Sequence, residues 1–413
     1  MLHAWALAVE IVATAMAVAG MGYFFAALIA ARVYLRARRK ALAAMAPAGS
    51  DAAAPGISIL KSLKGIDPGM LDAFRSHCRQ EYRGEFELLF GVASLAEPAA
   101  ATVQLLQQEF PGIPIHLIEC PLQLGANGKV STLTQVAPHA RHDILLINDS
   151  DIAVSPNYLA RVAAAFAASA GKRSQRPVGM VTALYRGRAH RSIFRGGLAA
   201  QLEALGIATD FMPGVLLSRL IEGGLHYGLG STLAVRREAL QAIGGLLPLA
   251  DQLADDHELG ARIAQAGYRI ELCAEVVETG VPAYDWRAFI DHQLRWLRTV
   301  RDARPAGYAG LVFTYGLGWA LLNVVASGAS LFSLWLLVLS FLLRLSLAMT
   351  AGAEVLHDRD VLPHLWLVPL RDLVAMGLWA GAFASHEIVW RGERFLLRKG
   401  KLEKEGTPAE NRA

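Results

Sequence analysis

The chain has 413 residues, of which 54% are hydrophobic and 18% charged, and its mean hydropathy is +0.34. It is too apolar for an ordinary soluble enzyme, and its middle part is too charged for a pure membrane bundle. The formal net charge is +4, but the basic excess sits in short runs beside apolar segments, which favours a membrane surface over a nucleic acid as the partner.

The first predicted element is a membrane helix. Residues 5–31 are apolar except for Glu10 and are long enough to cross about 30 Å of hydrocarbon. A cluster of basic residues follows the apolar stretch, whereas a cleaved signal peptide has its positive charges in front. We therefore predict an uncleaved anchor over residues 1–40, with the next domain in the cytoplasm. The basic residues are Arg32, Arg36, Arg38, Arg39 and Lys40.

The middle of the chain predicts an α/β domain over residues 57–305, after a linker at 41–56. Short β-rich runs alternate there with helical patterns, of which 69–81 and 99–110 are the clearest. This alternation predicts a largely parallel sheet covered on both faces, with ligands beyond the carboxyl ends of its strands. The predicted strands are 57–60, 86–92, 115–118, 143–147, 180–184 and 268–272.

The strongest local signal is a pair of aspartates, Asp149 and Asp151, at the end of the apolar strand 143–147. Alternate residues of an extended chain point the same way, so the two carboxylates are expected to face one point. Such oxygen ligands suit Mg²⁺ or Mn²⁺, which keeps open positions for diphosphate oxygens. The alternative is a simple turn or helix cap, since Asp-Ser-Asp is also good turn chemistry.

A second acidic cluster, with Asp255 and Asp256, opens a predicted helix that runs toward Gln265. One of the two aspartates is a candidate general base for an acceptor hydroxyl. The alternative is that the cluster only compensates the helix dipole.

A third signal is the sequence His292-Gln-Leu-Arg295-Trp296, just before the C-terminal apolar region. Arginine can neutralise the charge that develops on a diphosphate leaving group, and tryptophan can pack against a sugar or an acceptor. The alternative is a basic amphipathic helix that lies on a membrane.

The C-terminal part predicts membrane and interface helices over residues 306–388. Residues 311–350 carry one charge, Arg344, and are long enough for two crossings with a turn near 327–330. A further apolar segment, 362–384, contains Arg371 and Asp372 and either crosses the membrane or lies in its interface. A basic tail at 389–413 is expected in the cytoplasm.

Together these motifs resemble ceramide glucosyltransferase, glycosyltransferase family 21, over nearly the whole chain. The family has three separated aspartates and then a (Gln/Arg)-x-x-Arg-Trp sequence, with a Gly-x-Asn-x-Lys loop between the first two aspartates. His292 departs from this pattern, and only Glu97 is acidic where relatives have aspartates near the uracil. The matching residues are Asp67 in Leu63-Lys-Gly-Ile-Asp-Pro68, Lys129 in Gly125-Ala-Asn-Gly-Lys129, Asp149, Asp256, Arg295 and Trp296.

The resemblance implies a GT-A-type, Rossmann-like mixed sheet between an N-terminal transmembrane helix and C-terminal membrane helices. It implies inverting transfer of a sugar from a UDP-sugar, UDP-glucose above all, to a hydroxyl of a membrane lipid such as ceramide. The implied cofactor is Mg²⁺ or Mn²⁺, and the implied location is an integral membrane protein of the bacterial inner membrane with a cytoplasmic catalytic domain. The implied site is catalytic Asp256, Arg295, Trp296 and His292; donor-binding Asp67, Lys129, Asp149 and Asp255; and metal-binding Asp149 and Asp151.

Three other functions stay open. The bacterial hopanoid-associated branch of the family would transfer N-acetylglucosamine to a hopanoid polyol, and Trp390 to Arg394 resembles that branch. A processive polysaccharide synthase is disfavoured, because few membrane segments are available for a polymer channel. A non-catalytic membrane scaffold with a degenerate transferase domain is disfavoured by the retained aspartates and the Arg295-Trp296 pair.

Overall fold

The structure is a computed structural model that describes residues 2–44, 54–167, 176–189, 193, 197–283, 285–390 and 393–404. Residues 45–53 of the predicted linker (41–56) and residues 391–392 and 405–413 of the predicted tail (389–413) lie outside the described residues. The chain divides into two compact units. The α/β unit comprises Arg38–Arg188, Glu222–Pro282 and the segment from Gly400 onward, and the helical unit comprises Met1–Ala37, Ala189–Ile221 and Ala283–Lys399.

Within the described residues, the α/β unit contains one eight-stranded sheet with the strand order β3-β2-β1-β4-β7-β6-β8-β5. The strands β3, β2, β1 and β4 run parallel to their neighbours, whereas β7 is antiparallel to β4 and to β6, and β5 is antiparallel to β8. The strands are β1 (Ile57–Leu63), β2 (Phe86–Val92), β3 (Ile115–Glu119), β4 (Ile144–Ile147), β5 (Ile152–Ala153), β6 (Val178–Ala189), β7 (Leu233–Arg236) and β8 (Arg269–Val281).

Strands β2 and β4 in the parallel half of the sheet are buried on both faces. All residues of β4 are buried, and β2 is buried at every position after Phe86. Helices pack against these strands, as the contacts of α4 with β1 and β2 illustrate. The helices of this unit are α2 (Met70–Cys78), α3 (Pro98–Glu109), α4 (Gly128–Val136), α5 (Tyr158–Ala167), α8 (Arg237–Ala242) and α9 (Asp255–Gln265).

The predicted α/β fold with a mixed sheet is confirmed, and each of the six predicted strands is present. The expectation of a largely parallel sheet is wrong for the half that contains β5, β6, β7 and β8. The sequence analysis missed β5 and β7, because a two-residue strand and a four-residue strand carry too little periodicity to be seen.

The helical unit contains most of the long apolar helices. Among the described residues, four helices are long and apolar enough to cross a membrane, or up to five if the bent pair Pro305–Thr314 and Gly316–Ala326, which meet at 53°, forms one span. The four are Trp5–Ala44, Leu198–Ile221, Leu331–Val355 and Arg359–Ala384. The helix elements are α1 (Leu2–Ala44), α6 (Leu198–Gly206), α7 (Met212–Ile221), α10 (Trp286–Ala303), α11 (Pro305–Gly310), α12 (Gly316–Ala326), α13 (Leu331–Met349) and α14 (Val368–Gly381).

The segment Leu198–Ile221 is the main departure from the expected organisation. It falls inside the stretch 57–305 that was expected to be one domain, yet it groups with the helical unit. The sequence analysis did not single it out, because Glu203 and Asp210 interrupt its apolar run. The domain boundaries at 56, 305 and 388 stay predictions.

The charges inside the apolar segments of the helical unit pair with one another. Arg344 is 1% exposed and donates hydrogen bonds to Asp372, at 2.7 Å from Oδ1, and to Asp210. Arg371 lies 3.4 Å from Asp210. Pairing of this kind lowers the cost of placing charges in apolar surroundings, and it explains how residues 331–384 can contain charges and remain apolar elsewhere.

The chain ends in short strands. In the helical unit, β9 (Glu387–Trp390) pairs antiparallel with β10 (Glu393–Arg398). The last strand, β11 (Lys401–Lys404), belongs to the α/β unit, where Lys401 forms a bridge with Gln252.

Candidate active site

A group of carboxylates and lysines lies beyond the carboxyl ends of β1 and β4, at the edge where ligands bind in sheets of this kind. We call this group the carboxylate cluster. Hydrogen bonds, ion pairs and charge interactions connect six of the residues that the sequence analysis selected with one that it missed, Lys61. The cluster consists of Asp67, Asp149, Asp151, Asp255, Asp256, Lys61 and Lys129.

Asp149 follows the buried strand β4 and is positioned by a fixed neighbour. The Asn148 side chain is 1% exposed, and its amide donates to the Ser231 carbonyl at 2.7 Å and to the Tyr158 hydroxyl at 3.0 Å. The chain then turns, because the Ile152 N–H donates to the Asp149 carbonyl. The premise of an extended Asp149-Ser150-Asp151 segment is therefore wrong, and turn geometry rather than strand alternation sets the directions of the two carboxylates.

Lys129 bridges two carboxylates of the cluster. Its Nζ lies 2.8 Å from Asp149 Oδ1 and 3.3 Å from Asp255 Oδ2. Burial acts to lower the pKa of Lys129, but the charges of Asp149 and Asp255 outweigh that effect and raise it. Lys129 is thus held as a cation at this place.

The loop before Lys129 has a physical reason for its Gly-x-Asn-x-Lys pattern. A Cβ on Gly125 would lie 2.5 Å from the Ala250 carbonyl oxygen, so only glycine allows this approach. The Asn127 side chain caps α4 by accepting a hydrogen bond from the Val130 N–H at 3.1 Å. Together these contacts fix the first turn of α4, which carries Lys129.

Asp256 stands in the first turn of α9 and faces the same small space as Asp149. A Cβ added to Gly230 would lie 3.1 Å from Asp256 Oδ2 and 3.7 Å from Asp149 Oδ2. The other carboxylate oxygen of Asp256, Oδ1, accepts the His257 N–H at 2.7 Å. Burial, followed by the charge of Asp255, raises the pKa of Asp256 to about 6. A carboxylate with this pKa is suited to accept a proton near neutral pH.

Hydroxyl groups hold two further members of the cluster, Asp67 and Asp151. The Ser150 hydroxyl donates to Asp67 Oδ2, and the Thr279 hydroxyl donates to Asp151 Oδ2. Burial and then the neighbouring Asp149 charge raise the pKa of Asp151. These contacts connect the loop after β1, the Asp149–Ile152 turn and β8.

Lys61 is the member that sequence reasoning missed. It is completely buried, and its Nζ donates to the Asp149 carbonyl at 2.9 Å. Burial lowers the pKa of Lys61 to about 7, although the charges of Asp151 and Asp149 oppose that shift. A lysine inside a largely apolar strand was the available signal, because buried lysines are rare unless they have a partner.

The carboxylate oxygens of the cluster could supply one or two ligands to a divalent cation. In the ranges that the structure describes, no group of three or more His, Cys, Asp and Glu side chains could hold a metal by itself. Asp149 Oδ1 faces Lys129, while Asp149 Oδ2 faces the space beside Gly230. The Asp149 side chain is 44% exposed. Such a donor set fits Mg²⁺ or Mn²⁺ that takes one or two carboxylates and completes its shell with phosphate oxygens and water.

The remaining predicted residues, His292, Arg295 and Trp296, lie on α10 of the helical unit, and their roles stay predictions. The His292 ring lies 4.8 Å from the Trp296 ring. Its Nδ1 is 3.0 Å from Oε2 of Glu203, a residue of α6 that is 3% exposed. The same Glu203 oxygen accepts the Gln293 amide at 3.2 Å.

Glu203 is therefore a second residue that the sequence analysis missed. It lies in an apolar helix, where a buried carboxylate needs a partner, and its partners His292 and Gln293 belong to the third sequence motif. Hydrogen bonds of Arg301 to the Ala382 and Ser385 carbonyls hold the other end of α10. Within the helical unit, α10 is thus held at its middle, through His292 and Gln293, and near its C-terminal end, through Arg301.

Known proteins that are similar to this chain are glycosyltransferases. The chain matches the model of glycosyl transferase family 21 over residues 12–403. Ceramide glucosyltransferase 1 of Caenorhabditis elegans is 21% identical over 360 residues, which cover 85% of this chain and 73% of that protein. Ceramide glucosyltransferase 3 of the same organism is 22% identical over 382 residues, which cover 85% of this chain and 74% of that protein.

Among solved structures, a similar one is the mannosyltransferase PcManGT from Pyrobaculum calidifontis in complex with GDP-Man and Mn²⁺. It is 16% identical to this chain, and the alignment covers 90% of this chain and 97% of that chain with a TM-score of 0.45. The match to the family model runs from α1 to β11 and so includes every member of the carboxylate cluster and the His292–Trp296 motif. The chain belongs to glycosyl transferase family 21.

Proposed function

We propose that the protein transfers a hexose, glucose above all, from a UDP-sugar to a hydroxyl of a membrane lipid such as ceramide, with inversion at the anomeric carbon. The observation that carries the proposal is the shared space beside Gly230, which both Asp256 Oδ2 and Asp149 Oδ2 face. A base and an anion that can bind a metal are thereby brought to one point. Family membership and the ceramide glucosyltransferase relatives support a nucleotide-sugar-dependent transferase.

In the proposed reaction, the lipid hydroxyl oxygen attacks the anomeric carbon, and the bond from that carbon to the diphosphate oxygen breaks. Asp256 takes the hydroxyl proton, and UDP leaves with the electron pair of the broken bond. Asp149, with Asp151 beside it, would hold Mg²⁺ or Mn²⁺, which when bound supplies positive charge to the diphosphate. Lys129 keeps the Asp149 and Asp255 carboxylates together on the donor side, where Asp67 also belongs.

The proposed roles of the helical unit concern the acceptor. Arg295 would offset leaving-group charge, and Trp296, with His292 packed against it, would contact the lipid end of the site. The candidate membrane helices support an acceptor that resides in the bilayer. The basic residues after the apolar part of α1 support a cytoplasmic location of the α/β unit.

The proposal is tested with purified protein in detergent micelles, radiolabelled UDP-glucose, ceramide and Mn²⁺. We expect addition of a single sugar that EDTA abolishes. Parallel reactions with UDP-N-acetylglucosamine and a polyol hopanoid distinguish the two branches of the family. Absence of transfer from either donor to either lipid contradicts the proposal and favours a non-catalytic scaffold.

The pH dependence should report the state of Asp256. Because its pKa is raised to about 6, the carboxylate is ionised above that pH and protonated below it. We expect kcat/KM to be constant near pH 7.5 and to fall about tenfold per pH unit below pH 6. Since the Asp255 charge contributes to the raised pKa, Asp255→Asn should move the acidic limb to lower pH. An acidic limb at the same pH in Asp255→Asn would contradict this account.

Glu203 should act on the acceptor side through His292. In Glu203→Gln the charge that pairs with His292 is lost, while the hydrogen-bonding shape of the side chain is kept. We expect KM for the lipid to rise about tenfold, with KM for UDP-glucose unchanged, when each substrate is varied in turn in mixed micelles. Asp291→Asn, an exposed change on the same helix α10, is the matched control. Equal increases in both KM values would rule out an acceptor-side role.

A further inference from the structure

The segment 250–253, which precedes α9, is held from one side by the loop before α4. The Ala250 carbonyl accepts the Asn127 N–H at 2.7 Å, and the Gln252 carbonyl accepts the Asn127 side-chain amide at 2.8 Å. The Asp251 carboxylate accepts the Ala126 N–H at 2.9 Å. The segment therefore connects directly to the loop that positions Lys129.

From another side, the same segment is held by the last described strand of the chain. The Leu402 N–H donates to the Asp251 carbonyl at 2.8 Å, and the Leu253 N–H donates to the Gly400 carbonyl at 3.0 Å. Gln252 and Lys401 lie opposite each other in an antiparallel bridge between these two hydrogen bonds. The Leu402 side chain is 2% exposed, so it is buried as well as hydrogen-bonded.

Two functional side chains follow immediately from these clamped positions. Lys129 is two residues after Asn127, and Asp255 is two residues after Leu253. Their side chains meet at 3.3 Å. Any displacement of segment 250–253 must therefore shift Asp255 and Asp256 relative to Lys129 and Asp149, and catalytic geometry tolerates such shifts poorly.

We propose that β11 is a positioning element of the transfer reaction: by closing over segment 250–253, the C-terminal strand fixes the start of α9 and so the position of Asp256. The inference rests on the proposed function. It adds a role for residues 400–404, which the catalytic motifs do not include. Because β11 is not one of the eight strands of the main sheet, its loss removes no strand from that sheet.

The first test compares two shortened proteins, one ending at Lys399 and one ending at Lys404. The longer one keeps β11 and should transfer sugar at the wild-type rate. The shorter one lacks β11, and we expect its kcat to fall at least tenfold while the protein still unfolds cooperatively. Wild-type kcat in the protein that ends at Lys399 would overturn the proposal.

A second test keeps the full chain and makes positioning reversible. Leu402→Pro removes the N–H that binds the Asp251 carbonyl and should lower kcat to a similar extent. Gln252→Cys and Lys401→Cys are added because this bridge is a non-hydrogen-bonded pair with a Cα separation of about 4.5 Å, which suits a disulfide. The native cysteines Cys78, Cys120 and Cys273 are buried and should not interfere.

Oxidation of this triple variant should form the cross-link and restore kcat, and reduction should lower kcat again. A protein whose defect was only a loss of folding would not recover in this redox-dependent way. Failure to cross-link in the otherwise wild-type Cys pair, or a cross-linked triple variant that stays impaired, would overturn the proposal. If the wild-type protein transfers no sugar, the proposed function fails, whereas the cross-link still reports whether β11 lies against Gln252.

Discussion

Asp256→Asn is expected to lower kcat for sugar transfer by about 10²- to 10⁴-fold, the range that a positioned general base contributes. Asparagine keeps the size of the side chain and can still accept the His257 N–H, but it cannot take the proton of the acceptor hydroxyl. Binding of UDP-glucose should change by no more than about twofold. Single-turnover kinetics and calorimetric titration with UDP-glucose in the absence of acceptor measure the two quantities separately.

The same variant should not be less stable than wild type. A pKa raised to about 6 means that ionised Asp256 opposes folding above that pH, so neutral asparagine should stabilise the protein at pH 7.5 by on the order of 1 to 3 kcal/mol. The matched control is Glu258→Gln on the same helix, where the lost partner is Arg262, 2.7 Å away. Turnover of Asp256→Asn within tenfold of this control would exclude Asp256 as the base.

Asp149→Asn is expected to reduce turnover about 100-fold and to raise the Mn²⁺ concentration needed for half-maximal activity more than tenfold. The change removes the anionic oxygen that faces the space beside Gly230, and it also removes one of the two charges that hold Lys129. Initial rates over a series of Mn²⁺ and Mg²⁺ concentrations, with UDP-glucose at saturation, measure the effect.

Asp143→Asn is the control for this experiment, because Asp143 precedes the same strand and its side chain is 93% exposed. It should match wild type in both rate and metal response. If Asp149→Asn and Asp143→Asn needed the same Mn²⁺ concentration for half-maximal activity, the divalent cation would have to be bound elsewhere. The proposed metal role of Asp149 would then be wrong.

Much of the site was predictable because its residues come directly after elements with strong local signals. β4 is a run of four buried apolar residues, so the position of Asp149 at its carboxyl end followed from the strand itself. Asp255 and Asp256 opened a helix with a clear period, and the Gly125–Lys129 loop was identified by its resemblance to the family pattern. Which of these residues are in contact was not visible, because contacts between Lys129, Asp149 and Asp255 depend on the order of strands in the sheet.

The unpredicted features share a different cause. The strands of the antiparallel half, β7 among them, are fixed by partners far along the chain and not by local periodicity. Lys61 and Glu203 are charged residues inside apolar elements. Local sequence patterns show that they are unusual there but do not predict which residues they contact. Their partners, the Asp149 carbonyl and His292, are 88 and 89 residues away in sequence.

The interruption of the α/β unit by Leu198–Ile221 has a consequence for how the protein can be made. Strand β7, which pairs with β4, follows this apolar stretch in the chain and therefore emerges from the ribosome after it. Strands β5 and β6, whose partners β8 and β7 also follow this stretch, therefore remain unpaired until a segment with the properties of a membrane span has been synthesised. Trimming both ends of the polypeptide leaves that stretch in the middle, so we expect enzyme preparations to need detergent or lipid even after the N-terminal helix and the C-terminal apolar helices have been deleted.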